Sequence, residues 1–267
     1  MSASRPVVRR AAALLAVTAV GLTACGADRT TPAAAGDATV PSASSSPPAT
    51  PVATFPGSTA SPASAALPWT ETRLTGTAGS LTWDVVLPRF AGAPVADEVN
   101  RRVVASAEDV VERARTTVQD GDPPRTITGR GVVTTNDGRT AQVLLEVVDG
   151  TEGTAHPTTT LASTVVDVRR GRPVTLDVLF TDPPAALADL APVVEDLAAA
   201  RGEPVTAPEG LTPEVGNWAT WQSGPDGLAF SFQDFQLGGH GTRSYVVPWA
   251  EAEALLTDEA RELLVPR

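Results

Sequence analysis

Apolar and polar residues alternate most regularly in the middle of the chain. Over residues 160–168 the side chains fall alternately on two faces and are mostly β-branched or apolar, which is typical of a β-strand. Residues 169–172 then supply Gly171 for a tight turn. Alternation resumes after the turn at Val174, Leu176 and Val178. The pattern predicts a β-hairpin at the centre of the fold.

Further strand pairs and helices flank this hairpin. Alternating segments predict strands over residues 70–77, 80–87, 126–135, 140–148, 217–222, 228–235 and 243–247. An apolar residue at every third or fourth position predicts one long amphipathic helix over residues 95–118. Shorter helices are predicted over residues 185–200, where Pro192 is expected to divide the helix, and after Pro248, with Thr257 as a second N-cap. Pro88 is expected to end the second strand.

Strand pairs with intervening helices, rather than strict βαβ alternation, predict an α+β domain. The expected architecture is a mostly antiparallel sheet, with the long amphipathic helix and the shorter C-terminal helices packed on it.

The first 25 residues have the parts of an export signal. Basic residues precede an apolar run over residues 11–24, which is shorter than the roughly 20 residues that a membrane-spanning helix needs. Leu22-Thr23-Ala24-Cys25 resembles the bacterial lipobox, in which a peptidase cuts before the cysteine and the sulfur carries diacylglycerol. We therefore expect a lipoprotein signal peptide over residues 1–24 and a lipid on Cys25; a buried or reactive thiol is the alternative.

The residues after Cys25 are mainly Ala, Ser, Thr, Pro and Gly. Such a segment buries too little apolar surface to offset its chain entropy. It predicts a disordered tether over residues 25–66, followed by a domain over residues 67–267. The protein is expected to be a monomer on the extracytoplasmic face of the bacterial cell membrane, held there by the lipid on Cys25.

The chain is acidic, with a formal net charge of −11 at pH 7. Cleavage before Cys25 would remove three arginines and no acidic residue, so the charge would become −14. Such a domain is expected to repel nucleic acid and could attract a cationic protein. Simple solubility is the alternative explanation of the charge.

Two histidines and two tryptophans are the candidate binding residues. His156 precedes Pro157, and His240 lies in the glycine-rich stretch over residues 238–241. No HExxH, GxSxG or GxxxxGK[ST] motif occurs, so neither a metal, nor another cofactor, nor a catalytic residue is expected. Trp218 and Trp221 stand beside amide side chains, so one of them could stack on a sugar or anchor a protein if it is exposed; a place in the core is the alternative.

Several motifs also resemble a known family. They are GTAHP from Gly153, VDV from Val166 with Gly171, Leu176 with Leu179-Phe180, GLAFSF from Gly227, FQL from Phe235, Gly241, and VVPW from Val246. They resemble the C-terminal domain of unknown function of the lysozyme-binding anti-sigma factor RsiV, a domain that also occurs in mycobacterial secreted immunogenic proteins of the MPT type. The similarity covers about residues 70–264.

The resemblance implies a non-catalytic domain that binds lysozyme or another envelope protein. RsiV also has a cytoplasmic sigma-binding segment and a membrane span, whereas this chain is expected to have a cleaved signal, so it is not expected to signal across the membrane alone. A glycan-binding protein or a hydrolase or deacetylase of the cell wall, and a structural surface protein without a specific ligand, stay open. An exposed aromatic cleft near Trp218 would favour binding, and buried carboxylates clustered with His156 would favour an enzyme.

Overall fold

The larger of two β-sheets carries the long helix on one face. The computed structural model describes residues 65–266. Within them, six strands lie side by side in the order of the sequence: β1 (Trp69–Ala78), β2 (Leu81–Phe90), β3 (Arg125–Asn136), β4 (Thr140–Thr151), β5 (Thr158–Asp167) and β6 (Arg172–Pro173). Neighbouring strands are antiparallel except β2 and β3, which are parallel. The prediction of an α+β domain with a mostly antiparallel sheet is confirmed.

Helix α1 (Val95–Arg115) makes the crossover that the parallel pair β2 and β3 requires. Its apolar residues recur every three or four positions, so one stripe that includes Val99, Val103 and Ala107 is buried. The stripe packs on one face of the sheet, against Leu81, Val85, Leu87, Ile127, Val143, Leu145 and Val147. This contact is the first of two hydrophobic cores.

The second core lies between a smaller sheet and the C-terminal helices. Strands β7 (Trp221–Ser223), β8 (Gly227–Phe232) and β9 (Arg243–Pro248) pair antiparallel. The helices are α3 (Pro183–Ala200), α4 (Trp249–Ala252) and α5 (Asp258–Leu264), with short 3₁₀ turns at Pro208–Leu211, Val215–Trp218 and Glu253–Leu255. Thr257 caps α5 by accepting a hydrogen bond from the N–H of Ala260, as predicted.

Buried polar side chains join the two sheets. Gln142 on β4 is fully buried; it donates to Ser223 Oγ at 2.7 Å and accepts from the N–H of Ser223 at 2.9 Å. Ser163 Oγ on β5 accepts from the N–H of Trp221 at 3.0 Å. Because buried polar groups need partners, these contacts fix how β7 meets β4 and β5.

The second strand of the central hairpin is mostly absent, and that part of the prediction is wrong. β6 has two residues, and helix α2 (Leu176–Leu179) follows it. Asp167 accepts hydrogen bonds from the N–H groups of Arg169 and Arg170 and so turns the chain after β5. Leu176 and Leu179 are both buried three positions apart on one helix face, and a pattern this short fits a strand and a helix alike.

Three local predictions also need correction. Strand β2 continues past Pro88 to Phe90, where it pairs with β1 only, and prolines are tolerated where one side of a strand is free. Helix α3 continues through Pro192, because Leu190 and Val194 on either side are packed in the second core. Residues 217–220 are not a strand; β7 begins at Trp221.

The predictions of a leader, of lipidation at Cys25 and of a tether concern residues 1–66. Residues 1–64 lie outside the described part of the chain, so these stay predictions. In the described part, no helix is both long enough and apolar enough to cross a membrane.

Candidate functional site

The fold brings the two histidines together. His156 lies in the loop between β4 and β5, and His240 lies in the loop between β8 and β9. Their ring centroids are 5.2 Å apart, with the planes inclined by 33°. Both residues are exposed. Two positions that the sequence marked separately therefore belong to one surface.

A buried carboxylate stands behind His240. Asp234 Oδ1 lies 3.0 Å from His240 Nδ1 and accepts a hydrogen bond from the N–H of Gly241 at 2.6 Å. The Asp234 side chain is 1% exposed. Within residues 65–266, its other oxygen, Oδ2, is buried without a hydrogen-bond partner. Asp234 thus fixes the orientation of the His240 ring and closes the loop that carries it.

Phe235 projects from the same loop. Its side chain is 56% exposed and its ring centroid lies 5.2 Å from that of His240. Its φ is 65°, in the left-handed region that bulky residues rarely adopt. Phe235, His240 and His156 form a row of three rings on the surface of the domain.

Hydrogen bonds from two glutamine side chains hold the loop between β8 and β9. The side-chain amide of Gln233 binds the backbone of Leu161 on β5, and Gln236 Nε2 donates to the carbonyls of Gly210 and Asn217. At Gly238, where φ is 84°, a Cβ would lie 1.9 Å from the Oγ1 of Thr206, so only glycine fits. The loop is therefore packed tightly against residues 203–217.

We call the combined surface of residues 152–157, 203–217 and 233–242 the loop surface. It contains neither arginine nor lysine. Its exposed acidic residues are Glu152, Glu203, Glu209 and Glu214. None of these four carboxylates is in an ion pair with another described residue. The guanidinium of Arg243, the next residue, donates to the carbonyls of Glu203, Pro204 and Gly238, so the loop surface carries four exposed carboxylates and one cation at its edge.

The two tryptophans are core residues, so of the two alternatives the place in the core is confirmed for both, and neither is exposed for binding. Trp218 is 0% exposed and Trp221 is 3% exposed. Trp218 packs edge to face on Phe230 at 5.1 Å and on Phe232 at 5.4 Å, and its indole N–H donates to the carbonyl of Thr212 at 3.0 Å. Both indoles are buried because they pack among the apolar and aromatic residues of the second core.

A groove next to Trp221 is a separate surface feature. It has a volume of about 490 Å³ and lies between α1 and β5. Arg101, Ser106, Ser163 and Val215 are among the residues that line it. Neither histidine contributes to it.

Sequence analysis missed Asp234 and Phe235. The alternation over residues 228–235 places both at the end of a strand, whereas β8 ends at Phe232 and the chain then turns. The signal that could have found them is the glycine-rich stretch after Leu237, because positive-φ glycines close loops and set what precedes them on the surface.

No protein-family model matches the sequence, and no curated protein matches it. Among solved structures, a DUF3298 family protein from Bacteroides fragilis is 15% identical to this chain, with a TM-score of 0.53. The alignment covers 72% of this chain and 94% of the Bacteroides protein. A DUF3298 family protein from Pseudomonas aeruginosa is 13% identical with a TM-score of 0.54, and covers 75% of this chain and 98% of its own.

The chain shares the fold of these two DUF3298 proteins. The expectation of a domain of unknown function agrees with this likeness. At such identities the likeness concerns the fold alone, so the function must be argued from the site.

Proposed function

We propose that the protein is a lipid-anchored envelope protein whose domain binds a cationic protein partner without catalysing a reaction. Lysozyme is the first candidate, since the sequence resembles the lysozyme-binding domain of RsiV. The anchor is the lipid on Cys25, the only cysteine in the chain, which stands at the end of the apolar leader.

The proposed binding role rests on Phe235, whose side chain is exposed and whose backbone has a positive φ. An exposed aromatic ring at positive φ costs free energy in the isolated protein, in backbone strain and in hydrated apolar surface. More than half of the residue, 56%, is exposed. Strained and exposed groups of this kind are concentrated where proteins bind ligands, and aromatic residues supply much of the energy of protein interfaces.

The charge of the loop surface defines the class of partner. The carboxylates of Glu152, Glu209 and Glu214 are exposed, and no arginine or lysine of the loop surface neutralises them. A positively charged partner would be steered to this surface and would pair with these groups around a central apolar contact. Nucleic acid and other polyanions would be repelled.

A wall hydrolase is the second candidate, favoured by the Asp234–His240 pair. A buried carboxylate that binds the Nδ1 of an exposed imidazole is also the arrangement that orients a general base. We place binding first because the exposed ring of Phe235, at positive φ, lies beside this pair.

Calorimetric titration of residues 26–267 with lysozyme, at low and at physiological salt, tests the proposal. We expect binding that is stronger at low salt and persists at physiological salt, because both charge and apolar contact contribute. Absence of binding at both salt concentrations would refute lysozyme as the partner. Release of soluble fragments from purified cell wall by the protein alone would favour the hydrolase instead.

A further inference from the structure

We propose that His156 and His240 bind a divalent transition-metal ion of the zinc class, with Asp234 as the group that orients His240. The site lies on the loop surface beside Phe235, but the inference does not rest on the proposed protein partner. It also reverses the expectation from sequence, where the histidines lie in separate segments and match no metal motif.

Asp234 determines which ring nitrogen of His240 carries the proton. Asp234 Oδ1 lies 3.0 Å from Nδ1, and a carboxylate accepts but does not donate, so the proton of the neutral imidazole is on Nδ1. The lone pair is then on Nε2, on the opposite side of the ring from the buried carboxylate. Metal-binding histidines commonly donate their other N–H to a carboxylate in this way.

The distance between the two rings also bears on metal binding. A bond of about 2.0–2.1 Å between zinc and nitrogen places each imidazole centroid roughly 3.2 Å from the metal. Two such ligands at a tetrahedral angle hold their centroids about 5 Å apart. The centroids of His156 and His240 are 5.2 Å apart, which is the spacing expected of two ligands of one ion.

The carboxylate of Asp234 is a buried negative charge next to His240. Asp234 Oδ2 is buried and lacks a hydrogen-bond partner within the described residues, which is costly for a carboxylate. A divalent cation bound to the far side of His240 would offset part of that cost through the polarised imidazole.

The two histidines would fill two positions of a tetrahedral site. Among residues 65–266, no three His, Cys, Asp or Glu side chains form a ready set of metal ligands. Water fills the remaining positions, so the site is open and of modest affinity. Imidazole suits zinc, nickel and copper better than calcium or magnesium, which prefer oxygen ligands.

Titration of residues 26–267, purified without a histidine tag, with Zn²⁺ and with Ni²⁺ tests this inference. The chain has only two histidines, so no imidazole outside the proposed site adds background binding. We expect one ion per chain with a Kd on the order of 1–100 μM, and a loss of at least about 10-fold in affinity in His156→Ala and in His240→Ala. Asp234→Asn is expected to weaken binding about 10-fold or more.

Glu195→Gln is the matched control, because it removes an exposed carboxylate of α3, outside the loop surface, and keeps both imidazoles. It is expected to leave the affinity within about 2-fold of the native value. Equal affinity in the native chain and in the double variant His156→Ala/His240→Ala would overturn the proposal, as would a native Kd above about 1 mM. His156 is an exposed loop residue, so its variant stays informative even if Asp234→Asn disturbs the loop.

Discussion

Gln233 binds Leu161 through both ends of its side-chain amide. Its Oε1 accepts from the N–H of Leu161 at 2.8 Å, and its Nε2 donates to the Leu161 carbonyl at 2.8 Å. The amide thus completes the edge of β5 as a neighbouring strand would, which leaves that edge less open to pairing with other chains. Because Asp234 and Phe235 follow directly, the same contact sets the position of the candidate site.

Gln233→Ala is expected to lower the free energy of unfolding by about 1–3 kcal/mol, because the N–H of the buried Leu161 would lose its partner. Gln233→Glu keeps the acceptor but places a carboxylate oxygen against the Leu161 carbonyl, so it should cost at least as much. Urea unfolding of the three proteins measures both differences. Equal stability of Gln233→Ala and the native protein would show that water replaces the amide.

Phe235→Asn is expected to leave the free energy of unfolding unchanged or to raise it by up to about 1 kcal/mol. Asparagine tolerates the left-handed backbone better than phenylalanine, and this relief should offset the lost contacts of a residue that is already 56% exposed. Thermal and urea unfolding check the result. A loss of more than about 1 kcal/mol would mean that the ring supports the fold rather than a partner.

Asp167 should make the protein less stable in acid. Burial raises the pKa of its carboxyl, but hydrogen bonds from the Arg170 side chain and from the N–H groups of Arg170 and Arg169 outweigh burial and hold the pKa below its ordinary value. The stabilisation is present above the unfolded-state pKa of about 3.9 and is lost as the pH falls through the lower folded-state pKa. Asp167→Asn should cost about 2 kcal/mol at pH 7.

Unfolding measured from pH 7 to pH 2 checks this sign. The difference between Asp167→Asn and the native protein should shrink below about pH 3, since both proteins then lack the charge. A difference that stays constant with pH would show that the hydrogen bonds to the turn matter and the charge does not.

Glu146 should act in the opposite direction. Partial burial on β4 raises the pKa of its carboxyl, so the folded state holds its proton to a higher pH than the unfolded state, whose pKa is about 4.3. Stability therefore falls as the pH rises through the raised folded-state pKa. Glu146→Gln is expected to be more stable than the native protein at pH 7 and equal to it at pH 3, in the same unfolding series. A variant that is less stable at pH 7 would contradict this account.

The first core could be predicted from sequence because its signals are local. The spacing of Val99, Val103 and Ala107 is enough to predict helix α1. The Asn-Asp-Gly sequence at residues 136–138 is a typical turn sequence and predicts the connection between β3 and β4. The segment after Gly171 could not be assigned in the same way. Whether Leu176 lies on a strand or a helix is decided by packing in the second core, which involves residues far along the chain.

The candidate site was predictable only in pieces. His156 and His240 were identifiable as unusual residues, but their contact depends on two loops that meet through Gln233 and Leu161. Both a surface and a core position stayed open for Trp218 from sequence, with the core the commoner place for such a residue. Its contacts with Phe230 and Phe232 decide it.

The proposed binding of a cationic protein by the loop surface depends on Phe235. Its most direct test is a parallel calorimetric titration of the native protein, Phe235→Asn and Val132→Thr with lysozyme at physiological salt. Val132 is the matched control, since it is also an exposed apolar residue but lies on β3, outside the loop surface. We predict binding by the native protein and by Val132→Thr, and a loss of at least about 10-fold in Phe235→Asn. Equal affinity of all three proteins, or equal loss in both variants, would contradict the claim.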